Sequence, residues 1–164
     1  MTASAKTAPT PLAPIVKSVT VPLDPKRAFR LFTEEMSDWW PLDSHSLSAQ
    51  DGTPARSVTV TPTKGGPVFE TKPDGTTAPW GRVTEWSPGK RFAMSWHVGQ
   101  PEQNASHVSV SFDVVADGTK VTLVHDNWDA HGETAAARHA GYVTGWQMVL
   151  VARYGAAAGR LVTA

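Results

Sequence analysis

Between residues 56 and 128 the sequence alternates apolar and polar residues in short runs separated by turn motifs. The β-strand candidates are 56–61, 67–72, 80–87, 91–98, 107–115 and 120–128. Their connections carry turn residues, as in Pro73-Asp74-Gly75 and Asp117-Gly118, and are too short for a crossover. The pattern therefore predicts an antiparallel meander.

The alternation also assigns side chains to two faces of the predicted sheet. Residues 92, 94, 96 and 98 are apolar, as are 108, 110, 112 and 114, and each set shares one face. His125 falls on the apolar face beside Leu123. On the polar face we expect His97 and His107 to be cross-strand neighbours. A sheet with one apolar face needs a cover.

The predicted cover is a long helix over residues 132–161, where Ala and other helix formers dominate. Its glycines each cost helix stability, roughly 1 kcal/mol relative to Ala. We expect them to let the helix approach the sheet closely. These glycines are Gly141, Gly145, Gly155 and Gly159.

The segment before the meander predicts a strand at 15–21 and two short helices. Asp24 and Pro25 form a helix start, with Asp as N-cap and Pro at the first helical position. The second short helix is expected to begin at Thr33 and to end near Trp39. Residues 41–55 read as a mobile loop, and two hypotheses stay open: a lid over a cavity or an ordinary surface loop.

Together these elements predict an α+β helix-grip fold, in which a curved antiparallel sheet of six to seven strands wraps around a long C-terminal helix. A sheet that curls around one helix tends to leave a cavity between them. We expect a single domain over 15–164, preceded by a disordered leader at 1–14 that contains several Ala, Thr and Pro residues.

The chain has seven tryptophans, a surplus that suits a domain with an aromatic-lined interior. The alternative is that these rings simply fill a core. In the first case an apolar or aromatic ligand lies between sheet and helix, and His125 orients its polar group or moves a proton. The predicted wall consists of Trp40, Phe69, Met94, Trp96, Phe112, Tyr142 and Trp146.

Composition excludes several classes of function. The chain has no cysteine, so disulfides, thiolate metal sites and a cysteine nucleophile are excluded. The formal net charge is zero, which gives none of the basic field that nucleic-acid binding needs. No apolar run is long enough to span a bilayer, and we expect a cytoplasmic protein. No spacing of His, Asp and Glu matches a metal site, and no cofactor motif is present.

Several sequence segments, spanning residues 15–155, resemble the START-like, or SRPBCC, superfamily of ligand-binding domains. Within it the chain is similar to the bacterial single-domain branch named after the activator of Hsp90 ATPase. The segments are AFRLFT at 28–33 with Trp39-Trp40-Pro41, GGPVFE at 65–70 with WGRV at 80–83, WSPGKRF at 86–92 with Ser95-Trp96, and GTKVTLVH at 118–125 with Trp128, Gly141-Tyr142 and Gly145-Trp146.

The resemblance implies a helix-grip fold and leaves three functional hypotheses open. The first is binding of a small apolar or aromatic molecule. The second is a cyclase, dehydratase or hydrolase that acts on a cyclic, polyketide-like substrate, since the superfamily includes such enzymes as well as carriers. The third is a protein-interaction role with an Hsp90-type chaperone, and a homodimer is a further hypothesis.

Overall fold

The computed structural model describes residues 12–163, which form one antiparallel sheet and a long C-terminal helix. The strands are β1 (Ile15–Val21), β2 (Ser57–Val60), β3 (Pro67–Thr71), β4 (Thr77–Ser87), β5 (Arg91–Trp96), β6 (Ser106–Val115) and β7 (Gly118–Asp126). The helices are α1 (Pro25–Phe32), α2 (Leu47–Gln50), α3 (Ala135–Trp146) and α4 (Gly155–Thr163). Shorter 3₁₀ turns cover Met36–Asp38, Glu102–Asn104 and Trp128–Thr134.

All seven strands pair in the order β1-β7-β6-β5-β4-β3-β2, and every pair is antiparallel. The meander predicted from the turns is confirmed, and β1 joins it beside the last strand. The C-terminal helix runs from α3 through a π-helical segment, Gln147–Tyr154, into α4. This arrangement is the predicted helix-grip fold.

Helix α1 begins as its sequence predicts. The Asp24 Oδ1 atom accepts a hydrogen bond from the Arg27 amide at 2.8 Å, and Pro25 occupies the first turn. Its buried face contains Phe29 and Phe32, which pack on the sheet interior. The second predicted helix is only the 3₁₀ turn at Met36–Asp38.

Residues 41–55 are more ordered than the predicted loop. They contain α2, a single helical turn in which the Ser46 hydroxyl accepts a hydrogen bond from the Ala49 amide at 3.0 Å. Side chains of this segment border a cavity, as the lid hypothesis requires. The predicted leader at 1–14 lies, apart from its last three residues, outside the described part of the chain.

One predicted side-chain placement is wrong, and one residue keeps its predicted face without being buried. Val114 is 76% exposed because it sits next to the β6–β7 turn, where nothing covers the sheet. His97 follows the end of β5 and is 4% exposed, with its ring Nδ1 3.1 Å from the Gln100 carbonyl oxygen. In the β5–β6 register His107 is opposite Ser95, so the two histidines are not a cross-strand pair.

Candidate functional site

A cavity of about 280 Å³ lies between α3, the β4–β5 end of the sheet and the segment that contains α2. Exposed residues Ser44, Gln50 and Gly141 border it, so it opens to solvent between that segment and α3. Its remaining lining residues are Trp40, His45, Ser46, Trp80, Trp96, Val98, Arg138, Tyr142, Gly145, Trp146 and Val149.

Four tryptophans from separate parts of the chain form the apolar wall of this cavity. The ring centroid of Trp40 lies 5.1 Å from that of Trp80, 6.1 Å from Trp96 and 5.9 Å from Trp146. The Trp40 indole is held in place because its Nε1 donates a hydrogen bond to the His45 carbonyl at 2.8 Å. The rings meet one another in tilted or edge-to-face geometry, so the wall presents several flat aromatic surfaces to the cavity.

Tyr142 supplies the best-placed polar group. The Trp96 Nε1 atom donates a hydrogen bond to the Tyr142 hydroxyl oxygen at 2.8 Å. Within residues 12–163 no acceptor takes the proton of that hydroxyl in return. Burial raises the pKa of the Tyr142 phenol, so the group stays protonated at neutral pH. Tyr142 is therefore a hydrogen-bond donor with a free proton in an apolar surrounding.

His45 is the second polar group at the cavity. Its Nδ1 lies 2.7 Å from the Ser44 hydroxyl, which can either donate to it or accept from it. Burial, together with the charge of Arg153, lowers the pKa of His45 despite the opposing effect of Asp43. The ring is neutral at pH 7, and its Nε2 faces Gly145 on α3.

Glu70 fixes both α2 and one wall of the cavity. The carboxylate is fully buried and accepts hydrogen bonds from the Leu47 amide, the Ser48 amide and hydroxyl, and Trp80 Nε1, at 2.6–2.9 Å. Burial alone would raise the pKa of Glu70, but these donors lower it below its ordinary value. These four hydrogen bonds join α2 and Trp80 to the Glu70 carboxylate, which therefore has a structural role as an anchor.

His125 lies on the inner face, as its strand parity predicts, but behind the cavity wall. Trp146 Nε1 donates a hydrogen bond to its Nδ1 at 3.0 Å, so the neutral ring carries its proton on Nε2. That nitrogen lies 2.7 Å from the Ser106 hydroxyl, which lies 2.9 Å from His131 Nε2. Burial lowers the pKa of His125 to about 3, and nearby histidines contribute. His125 positions Trp146.

The structure brings together four of the eight ligand-binding residues predicted from the sequence, which are the seven wall residues and His125. Trp40, Trp96, Tyr142 and Trp146 all line the cavity, whereas Phe69, Met94, Phe112 and His125 do not. Phe69 is directed away because Val68 and Glu70 take the inward positions of β3.

The other two residues pack in the filled core. Phe112 contacts Phe29 beneath α1, with ring centroids 5.3 Å apart. Met94 lies against the backbone at Gly81, where a Cβ atom would be 3.0 Å from its Cε.

The sequence did not indicate that Trp80, His45, Arg138, Gly141 and Gly145 line the cavity. Trp80 carried a misleading signal, because its strand parity is opposite to that of inward-facing Val83. The register shift opposite Val68 and Phe69 lets both Trp80 and Val83 face inward. His45 carried none, because no periodicity assigns a loop residue to a face.

The glycines of the C-terminal helix do not all serve the predicted close approach. Gly155 packs against β1, where a Cβ atom would lie 3.4 Å from Val19, at the edge of ordinary van der Waals contact. A Cβ atom on Gly141 would meet nothing within 4 Å, and one on Gly145 would meet only His45 Nε2 at 4.0 Å. Gly141 and Gly145 leave space for the cavity.

Two other charged residues, Arg82 and Arg153, do not line the cavity. Arg82 is exposed and pairs with Glu102 at 3.1 Å, and Arg153 is exposed on the helix. Among the described residues, no three His, Asp or Glu side chains are grouped to hold a metal ion. No helix in residues 12–163 is long and apolar enough to cross a membrane.

The family model described as activator of Hsp90 ATPase homolog 1-like protein matches residues 22–153. The chain belongs to this family. The match confirms the resemblance inferred from the sequence and agrees with the ligand-binding type of helix-grip domain. A search of curated proteins found no match.

Solved structures show the same fold. An anthrahydroquino-gamma-pyrone synthase, Txn09, is 33% identical, with 80% of this chain and 88% of that chain covered and a TM-score of 0.56. A protein from Nitrosomonas europaea is 14% identical, with coverage of 92% and 97% and a TM-score of 0.65. The Aha1 dimer from Colwellia psychrerythraea is 17% identical, with coverage of 85% and 91% and a TM-score of 0.59.

Proposed function

We propose that this protein binds a flat aromatic molecule that carries a carbonyl or hydroxyl oxygen. The ligand enters the cavity between α3 and the segment of α2, and its rings lie against the tryptophan wall. The observation that carries this proposal is the Tyr142 hydroxyl, whose oxygen is occupied by Trp96 while its proton has no protein acceptor in residues 12–163.

The cavity's shape and lining support a small, mostly apolar ligand. Its volume of about 280 Å³ lies near the lower end of typical ligand pockets, which span roughly 300–1,000 Å³. Four indole rings supply apolar surface, and a ligand would gain roughly 25 cal/mol for each Å² removed from water, before the entropic cost of binding. Arg138 and Gln50 near the mouth leave room for a polar edge of the ligand.

Tyr142 would orient the ligand oxygen. The Tyr142 hydroxyl lines the cavity, and a ligand oxygen would accept its proton in place of water. In this proposal Tyr142 makes the direct contact that sequence analysis assigned to His125, and His125 contributes by fixing the Trp146 ring.

Titration with 1,8-dihydroxyanthraquinone, followed by quenching of tryptophan fluorescence, tests this function. We expect saturable binding to the native chain and an affinity about 10-fold lower for Tyr142→Phe, because one hydrogen bond is lost. Tyr154→Phe is the matched control, since the hydroxyl of Tyr154 donates to the Ala28 carbonyl away from the cavity. Equal affinity of both variants with the native chain would contradict the role of Tyr142.

A second candidate function is catalysis of ring closure on such a ligand. It is favoured by the 33% identity with a synthase whose name describes an oxygen-bearing polycyclic product. The cavity offers one neutral base and one acid: His45 Nε2 would accept a proton from a substrate hydroxyl, and Tyr142 would donate a hydrogen bond to a substrate carbonyl.

An ortho-hydroxyaryl enone, whose phenol can close onto the enone, provides the assay. Catalysis predicts that His45→Gln abolishes enzyme-dependent closure while binding of the anthraquinone persists. If the native chain binds the enone and does not accelerate closure, the protein is a binder only. The homodimer, the Hsp90-type partner and the cytoplasmic location inferred from the sequence stay predictions.

A further inference from the structure

Two glycines of α3 stand where the cavity meets solvent. Gly141 is exposed and Gly145 is half-buried, and both line the cavity. They are four residues apart, so they lie on the same side of the helix one turn apart. Tyr142 lies next to Gly141 in the sequence and lines the same cavity, and its hydroxyl proton has no acceptor in the described part of the chain.

Glycine is a costly choice at these positions. Both residues lie inside an α-helix, where glycine is about 1 kcal/mol less favourable than alanine. Neither backbone angle requires it, because neither glycine has a positive φ. Close packing does not require Gly141 either, since a Cβ atom there would meet nothing within 4 Å. The remaining physical reason is the space that a side chain would fill.

We propose that Gly141 determines which ligands the cavity admits, by leaving bare helix backbone along its mouth. Gly145 lies one turn further along, where a Cβ atom would be in ordinary van der Waals contact with His45 Nε2 at 4.0 Å, so a side chain larger than that of alanine would fill the space beside the ring. The ligand class that fits is a planar ring system of about three fused rings, whose edge passes against the backbone at Gly141. This inference rests on the proposed function and adds the residue that sets ligand size.

Leucine at position 141 is the most direct test. We expect Gly141→Leu to weaken binding of 1,8-dihydroxyanthraquinone at least 10-fold, while 2-naphthol, with two rings, loses less. Ala140→Leu is the matched control, because Ala140 is the exposed neighbour on the same helix and does not line the cavity. We expect it to bind both probes like the native chain.

Alanine substitutions separate the effect of a side chain on ligand binding from its effect on helix stability. We expect Gly141→Ala and Gly159→Ala each to raise Tm by about 2–4 °C, because both remove a helical glycine and neither Cβ atom meets an obstacle within 4 Å. Gly159 lies outside the cavity lining, so only Gly141→Ala should change the ratio of the two affinities.

A measurement without ligand distinguishes failure of the proposed binding function from failure of the proposed role of Gly141. Quenching of the ¹⁹F NMR signal of fluorine-labelled Trp146 by a soluble paramagnetic nitroxide reports access to the cavity. If the native chain binds neither probe, yet Gly141→Leu protects Trp146 and Ala140→Leu does not, the role of Gly141 stands and the proposed function fails. If both leucine variants behave alike in binding and in quenching, the inference about Gly141 is overturned.

Discussion

The interior of this domain contains two aromatic clusters that meet at adjacent residues of the chain. Trp39 belongs to the closed cluster, whose other members are Phe29, Phe32, Phe92, Phe112 and Tyr154. Trp40 belongs to the cavity cluster, whose other members are Trp80, Trp96, Tyr142 and Trp146. One cluster is filled and the other encloses about 280 Å³, although both consist of large rings.

The difference arises from what the C-terminal helix presents to each cluster. At the closed cluster Tyr154 fills the interior, and its hydroxyl donates to the Ala28 carbonyl at 2.8 Å. At the cavity cluster the helix presents Gly141 and Gly145, and the proton of the Tyr142 hydroxyl has no acceptor among residues 12–163. Aromatic content alone therefore does not decide whether an interior is a core or a binding site. The small residues opposite the rings decide it.

Alanine at positions 39 and 40 should give the largest contrast in stability. We expect Trp39→Ala to lower the free energy of unfolding by about 4 kcal/mol, because it opens a new cavity in a filled core. Trp40→Ala should cost about half as much, because one side of its ring already faces empty space, and it should abolish anthraquinone binding. Urea unfolding and fluorescence titration measure both effects. Equal losses of stability would show that the cavity cluster is packed as tightly as the closed cluster.

Glu70 provides the second contrast, because the cavity cluster depends on a buried charge and the closed cluster does not. Glu70→Gln should cost about 2–3 kcal/mol, since the new amide group faces N–H donors that only a carboxylate can satisfy. Glu85→Gln is the control and should change stability by less than about 0.5 kcal/mol, because its pair with Arg91 is exposed.

The sign of the pH dependence follows from the lowered pKa of Glu70. The folded state binds the proton more weakly than the unfolded state, so the carboxylate stabilises the fold above pH 4.5 and loses this effect as pH falls through the folded pKa. The free energy of unfolding, measured with urea, should therefore fall more steeply below pH 4.5 for the native chain than for Glu70→Gln. Parallel curves would contradict the anchoring role.

His125 gives a third contrast, at milder acidity. Its folded pKa of about 3 lies below the ordinary 6.5, so only the unfolded state takes up a proton as pH falls below 6.5. The native chain should lose about 2 kcal/mol between pH 6.5 and pH 5 from this group. His125→Gln should lack that part of the slope. A ¹⁹F label on Trp146 should respond to acid before one on Trp39, and simultaneous responses would contradict a local effect at the cavity cluster.

The sequence predicted the fold well because the fold depends on local patterns. Alternation and turn residues set the strands, and Asp24 with Pro25 set the start of α1. Predictions failed where a local pattern ends or a turn intervenes. His97 follows the last residue of β5, so strand parity no longer applies to it, and Val114 keeps its parity but extends past the cover.

The candidate site was predicted in part, for a physical reason. Trp40, Trp96, Tyr142 and Trp146 were identified because large rings belong in interiors. Which rings border empty space depends on tertiary packing, and the sequence showed Gly141 only as a costly helix residue. His45 and the anchoring of α2 by Glu70 join segments more than 20 residues apart, which no periodicity reveals.

The smallest expected effect compares the two tyrosines. Tyr154→Phe should cost about 1 kcal/mol, because it leaves the buried Ala28 carbonyl without its donor. Tyr142→Phe should change the free energy of unfolding by less than about 0.5 kcal/mol, since water in the cavity can accept from Trp96 Nε1 instead. Binding should rank the variants in reverse, with only Tyr142→Phe losing affinity for the anthraquinone. If Tyr142→Phe is the less stable variant, its hydroxyl has a structural partner and the cavity cluster resembles the closed one. If the affinities rank in the reverse order of the stabilities, the Tyr142 hydroxyl contributes to ligand binding and little to the stability of the fold.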